Sequence, residues 1–125
     1  MSEHKHSPGF LALVNDAKTR IRQINLEEFQ KLRSNGDSHL LIDIREESEW
    51  AAGHAAGAMH LGRGILERDI ETKVPDKATG MVLYCGGGYR SALSADSLQR
   101  MGYENVLSLE GGWRAYQAAN LPIEK

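Results

Sequence analysis

Apolar positions along this chain switch repeatedly between two spacings. Over residues 9–21, Phe10, Leu11, Val14, Ala17 and Ile21 recur along one side at helical spacing, the stripe of an amphipathic helix. Asn25 then offers an N-cap for a second helix through about Arg33, with Glu28 in the capping-box position and Gly36 just past the end. Short apolar runs at about 40–44, 59–61, 81–84 and 106–109, with a shorter one near Gln23-Ile24, read as strands. Helical segments fall between them at about 46–52, 64–73, 90–101 and 113–119. This alternation predicts an α/β domain with a mainly parallel central sheet of about five strands flanked by helices. In such sheets the functional crevice lies beyond the carboxyl ends of the strands, where the pattern puts Asp43, Gly62, Cys85 and Glu110. The stretch Pro75-Asp76-Lys77-Ala78-Thr79-Gly80 reads as a surface loop, and the sequence carries no repeat or low-complexity tract.

Composition narrows the picture. A chain of 125 residues with 41% hydrophobic residues suits one core and does not suggest a membrane span. Fifteen basic against seventeen acidic residues leave a formal charge of -2, and neither sign forms a block, which argues against a nucleic-acid surface. Met1 to Gly9 has no apolar stretch long enough for a signal peptide, and Phe10 to Val14 is too brief to supply one. The expected compartment is the cytoplasm, with no membrane partner. One cysteine excludes an internal disulfide, in keeping with a reducing compartment. His4 and His6 lie two apart near the N-terminus, and His39, His54 and His60 are dispersed. None has the spacing of a zinc site, so no metal and no other cofactor are expected.

The chemistry gathers at Cys85-Gly86-Gly87-Gly88-Tyr89-Arg90-Ser91, directly after the apolar run Met81-Val82-Leu83-Tyr84 and before a helix with Ala92, Leu93, Ala95, Leu98 and Met101 at helical spacing. A lone cysteine ending a strand is often a small core hydrophobe, but these neighbours argue otherwise. Three successive glycines forfeit backbone entropy and bury no side chain. Arg90 adds positive charge at a helix start, where the dipole alone favours an acidic residue. Both features make sense if an anion occupies the loop. A glycine turn from strand to helix aims successive backbone N–H groups at one point, reinforced by the helix dipole, and such a field favours the nucleophilic thiolate.

The loop Cys85-x-x-Gly88-x-Arg90-Ser91 resembles the active-site loop of the rhodanese family of sulfurtransferases. Leu41-Ile42-Asp43-Ile44-Arg45 resembles that family's first signature strand, followed by Glu49-Trp50-Ala51-Ala52-Gly53-His54 and Gly57-Ala58-Met59-His60-Leu61. Val106-Leu107-Ser108-Leu109-Glu110-Gly111-Gly112-Trp113 resembles its closing strand and turn. The chain departs from the family at Ala55-Ala56, where Ile-Pro is common. The likeness covers roughly residues 23 to 122. It implies a single rhodanese-like domain over 23–125 and leaves 1–22 as an N-terminal helical extension of no assigned role.

The resemblance implies that Cys85 attacks the outer sulfur of a small anionic donor such as thiosulfate, carries that sulfur as a persulfide, and yields it to an external acceptor. Cyanide or a thiol would serve, including the thiol of a protein. The N–H groups from Gly86, Gly87 and Gly88 through Tyr89 and Arg90 to Ser91 would hold the persulfide charge. Arg90 suits bidentate contact with an anionic donor, against a structural salt bridge; Ser91 could equally be a helix cap. Arg63, between Gly62 and Gly64, is the candidate second substrate contact, or an exposed loop charge. Asp43 and Arg45 read as structural, with Arg45 pairing with Glu49 or another carboxylate to hold the strand ends near the loop. Trp113 reads as packing, or as a flank of the pocket mouth. Two other classes compete: a persulfide carrier or regulatory module without turnover, and a cysteine phosphatase or arsenate reductase. Loops of the last kind usually place five residues between cysteine and arginine, whereas here there are four, Gly86 to Tyr89.

Overall fold

The computed structural model describes residues 6–125. The chain runs α1 (Pro8–Lys18), β1 (Arg22–Ile24), α2 (Leu26–Ser34), β2 (Leu40–Asp43), α3 (Glu47–Ala52), β3 (His54–Ala55), β4 (Met59–His60), α4 (Arg63–Lys73), β5 (Met81–Tyr84), α5 (Tyr89–Arg100), β6 (Val106–Leu109), α6 (Gly112–Ala118) and β7 (Ile123–Glu124). Five strands form one sheet in the order β1-β6-β5-β2-β4, and every pair in it is parallel. The α/β architecture predicted from the alternating periods is the one observed. Asn25 caps α2 through a full capping box: its side chain accepts from the Glu28 N–H at 2.8 Å, and Glu28 accepts from the Asn25 N–H at 2.9 Å.

Strand side chains alternate between two apolar layers, as a period of two requires. Met81, Leu83 and Cys85 join Ile42, Ile44, Leu66 and Leu98 on one face. Val82 and Tyr84 join Phe29, Leu41, Leu107, Leu109 and Tyr116 on the other. Helix α5 lies against the first layer through Ala95 and Leu98, both fully buried. A small alanine at the contact lets the helix approach closely, and this sets the height of its first turn relative to the end of β5.

Two local expectations change. The first helix stops at Lys18, so Ile21 lies beyond it and packs on the apolar layer from the turn before β1. A second, two-stranded antiparallel sheet pairs β3 with β7, joining His54 to Glu124 and Ala55 to Ile123. Two-residue strands are too short to print a periodicity, so nothing in the pattern announced it.

The chain leaves β2 toward β4 and leaves β5 toward β6, in opposite directions across the sheet. The switch point therefore lies between β2 and β5, and a crevice opens beyond their carboxyl ends. Cys85 stands immediately after β5, at that crevice.

Candidate active site

Cys85 is 1% exposed, and its Sγ is met by the head of α5. The Gly88 N–H donates to Sγ at 3.1 Å and the Ser91 N–H at 3.4 Å. These are N-cap and first-turn groups, which have no acceptor within the helix, so a thiolate there satisfies them and lies at the positive end of the helix dipole. Gly88 adopts φ +98°, and a Cβ on it would meet the Leu109 carbonyl oxygen and the Gly111 nitrogen at 3.3 Å. Only glycine turns the chain this tightly against β6. Ser91 is inside α5 and is not a cap: its hydroxyl lies 3.6 Å from Cys85 Sγ and 2.8 Å from the Ser108 hydroxyl on β6.

The start of α6 holds the loop from behind. The Trp113 N–H donates to the Cys85 carbonyl at 2.8 Å and the Arg114 N–H to the Gly86 carbonyl at 3.1 Å. These bonds occupy the Cys85 and Gly86 carbonyls and tie the loop to α6. The approach is so close that a Cβ on Gly112, at φ +47°, would collide with the Cys85 carbonyl oxygen. Sequence reasoning gave Gly112 no part in the site, although Gly111-Gly112 repeats the strand, glycine, helix order of the Cys85 loop and was the available signal.

Arg90 is a two-point partner of Glu49 on α3, with nitrogen to oxygen distances of 2.9 and 3.2 Å. The pair holds the Glu49 carboxyl below the usual carboxylate range, chiefly through the Arg90 hydrogen bond. Arg90 is raised in turn, chiefly through its hydrogen bond to Glu49. Arg90 is salt-bridged to Glu49 and also lines the cavity over Cys85. A Cβ on Gly86 would lie 3.2 Å from an Arg90 terminal nitrogen, so that glycine makes room for the guanidinium.

With Glu49 occupied, Arg45 takes the other carboxylate, Asp43, at 3.0 and 2.8 Å. Asp43 also accepts from the Tyr84 hydroxyl at 2.6 Å, and Arg45 donates to the Gly53 carbonyl at 2.7 Å. The Arg45 guanidinium stacks 4.6 Å from the Trp113 ring centre. All of Asp43, Arg45 and Tyr84 are buried. Burial, then the Asp43 hydrogen bond, pushes the Tyr84 phenol far above the ordinary tyrosine range. This network ties the end of β2 to the residue preceding Cys85.

A cavity of about 570 Å³ opens over Cys85, and Glu49, Arg63, Arg90, Trp113 and Arg114 line it. Arg63 is exposed at the start of α4 and also borders a neighbouring hollow of about 360 Å³ with Arg90. Trp113 both lines the cavity and stacks on Tyr84 and Tyr116 at 6.2 and 5.7 Å between ring centres. Another hollow, of about 580 Å³ beside α2 and Pro122, is lined by no cysteine. Tyr89, His6 and Phe10 also line the Cys85 cavity; no pattern in the sequence placed the last two there.

Among the described residues no three His, Cys, Asp or Glu side chains gather as a metal would need. His54 and His60 stack on Trp50 at 3.4 and 4.9 Å between ring centres, while His4 lies outside the described residues, as does most of the segment weighed for a signal peptide. Among the described residues no helix is long and apolar enough to cross a membrane.

Comparison with known proteins agrees with this geometry. The rhodanese-like domain family model matches residues 25–119. The chain is 32% identical over 101 residues to the thiosulfate sulfurtransferase GlpE of Vibrio cholerae, covering 81% of this chain and 92% of that one. A Rhodopseudomonas palustris protein of unknown function, described as a possible tyrosine phosphatase, superposes with a TM-score of 0.81 at 29% identity over 99% of this chain and 100% of that one. The rhodanese-like domain of an Anabaena protein superposes with a TM-score of 0.74 at 25% identity, covering 82% of this chain and 77% of that one. A glycine loop that presents a buried cysteine to the head of a helix, at the switch point of a parallel sheet and within a matched family domain, makes this chain a member of the rhodanese-like family.

Proposed function

We propose that the protein is a sulfurtransferase that moves sulfane sulfur from a small anionic donor such as thiosulfate to an external acceptor through a persulfide on Cys85. The observation that carries this reading is the convergence of the Gly88 and Ser91 N–H groups on Cys85 Sγ. The Cys85 thiolate attacks the outer sulfur of thiosulfate, the bond between the two sulfurs breaks, and sulfite leaves with the electron pair. The terminal persulfide sulfur inherits the negative charge, and the N–H groups between Gly86 and Ser91 stabilise it without reorganising. Arg63, Arg90 and Arg114 supply positive potential for the incoming donor. Attack by cyanide or a thiolate on the terminal sulfur then restores the Cys85 thiolate. The acceptor must be external, because Cys85 is the only cysteine of the chain. The GlpE relatives, named thiosulfate sulfurtransferases, support the same reading.

A cysteine phosphatase is the second reading, favoured by the description of the Rhodopseudomonas palustris protein. The four-residue spacing from Cys85 to Arg90 argues for a cradle sized to one sulfur atom rather than a tetrahedral oxyanion. Mass spectrometry of the intact protein after thiosulfate exposure tests both. The expected result is the gain of one sulfur, absent in Cys85→Ser, with no hydrolysis of p-nitrophenyl phosphate. Phosphate-ester turnover that depends on Cys85, without sulfur loading, would overturn the assignment.

A further inference from the structure

Helix α1 lies outside the matched family domain, which begins at residue 25, yet it reaches the cavity over Cys85. His6 and Phe10 line that cavity together with Tyr89. Their ring centres lie 4.3 Å (His6 to Tyr89), 5.2 Å (His6 to Phe10) and 6.2 Å (Phe10 to Tyr89) apart, at or just inside the separations at which aromatic rings attract. Helix α1 is fastened to α5, the helix that begins at Tyr89. Val14 and Ala17 are fully buried at its inner face, Arg20 just beyond it binds Asp96 of α5 at 3.0 and 2.9 Å, and Gln99 donates to the Arg20 carbonyl at 2.9 Å. These contacts hold α1, and with it Phe10, against the helix that begins at Tyr89.

The cavity is larger than an inorganic donor requires. Thiosulfate has five heavy atoms and fills the space of a few waters, on the order of 100 Å³ at about 30 Å³ per water, whereas about 570 Å³ is open over Cys85. That volume falls within the range of roughly 300–1,000 Å³ typical of sites for organic ligands. Its lining divides into an aromatic part, His6, Phe10 and Tyr89, and a cationic part. Arg63 and Arg114 are in no ion pair among the described residues, and Arg114 lies 3.5 Å from where a Gly87 Cβ would stand.

We propose that α1 forms a wall of the active site, and that His6 and Phe10 with Tyr89 select organic sulfur donors carrying a planar or apolar group beside an anionic head. This rests on the sulfurtransferase reading and deepens it by naming the donor class. The aromatic group stacks on the α1 wall while the anionic head meets Arg63 and Arg114. Benzenethiosulfonate is the probe: the Cys85 thiolate attacks its outer sulfur, the bond between the sulfurs breaks, and benzenesulfinate leaves with the electron pair.

The experiment measures kcat/KM for benzenethiosulfonate and for thiosulfate, each with cyanide as acceptor, in wild type, Phe10→Leu and Phe10→Ala. The quantity read is the ratio between donors, in which differences of intrinsic reactivity cancel from variant to variant. Phe10→Ala is expected to lower the ratio by about three- to tenfold, the worth of one aromatic contact, with Phe10→Leu between. Helix α1 is left in place because deleting it would remove the buried Val14 and Ala17. Should Phe10→Ala fold poorly, calorimetric binding of benzenesulfonate to Cys85→Ser with and without Phe10→Leu reads the same contact without turnover, and weaker binding in the double variant is expected. An unchanged donor ratio, or unchanged benzenesulfonate affinity, with thiosulfate still loading Cys85, overturns the wall alone. Failure of wild type to accept sulfur from either donor overturns the sulfurtransferase reading beneath it.

Discussion

Replacing Gly112 by alanine tests how the Cys85 loop is held. The new methyl group would enter the space of the Cys85 carbonyl oxygen, and the residue would have to keep φ +47°. A non-glycine residue in the left-handed region costs roughly 1–2 kcal/mol. Relief of the collision moves α6 away from the loop and weakens the bonds from Trp113 to Cys85 at 2.8 Å and from Arg114 to Gly86 at 3.1 Å, each worth about 0.5–1.5 kcal/mol. The expected destabilisation is therefore about 2–5 kcal/mol, a melting temperature lower by on the order of 10 °C. Activity falls further than stability explains, because the carbonyls released from α6 let the loop turn and misdirect the Gly88 and Ser91 N–H groups that meet Cys85 Sγ. A displacement of about 1 Å in such a site costs up to roughly 100-fold. The assays are thermal melting and thiosulfate-to-cyanide transfer well below the melting transition. Gly9→Ala is the control, since a Cβ there meets nothing within 4 Å and helix propensity alone predicts a small gain. A Gly112→Ala protein with wild-type melting and rate would refute the view that α6 positions the loop.

Glu49→Gln should lower the melting temperature only slightly, since the Arg90 pair is about one-third exposed and such pairs contribute under about 1 kcal/mol. It should lower kcat, as Arg90 loses its two-point anchor, and lower the KM for thiosulfate, as a carboxylate is removed from the cavity wall; a raised KM would show that Arg90 needs Glu49 to bind the donor. Tyr84 gives a pH-dependent test. The folded protein keeps its phenol protonated through burial and the Asp43 bond, while an unfolded tyrosine ionises near pH ~10. The resulting stabilisation is present below about pH 10 and is lost as pH rises beyond it. The melting-temperature gap between wild type and Tyr84→Phe should then narrow above about pH 10, and a constant gap would contradict the linkage.

The sequence by itself determined what depends on near neighbours. Alternating apolar periods specified the α/β class, because burial on one face of a helix or strand is set within a few residues. Asn25 and Glu28 specified the start of α2, since a capping box closes within one turn. Cys85 to Ser91 specified a glycine turn from strand to helix, which brings its own Gly88 and Ser91 N–H groups to Cys85 locally. Tertiary structure decided the partners. Arg45 and Arg90 had the same carboxylates to choose from, and the position of α3 against α5 gave Glu49 to Arg90 and left Asp43 to Arg45. Gly112 matters only because α6 packs onto the Cys85 carbonyl. The packing of α1 on α5 brings Phe10 to Tyr89, with His6 just before the helix beside them, more than 75 residues away along the chain. Periodicity records which face of an element is buried; it carries no information about which distant side chain will meet that face once the layers close.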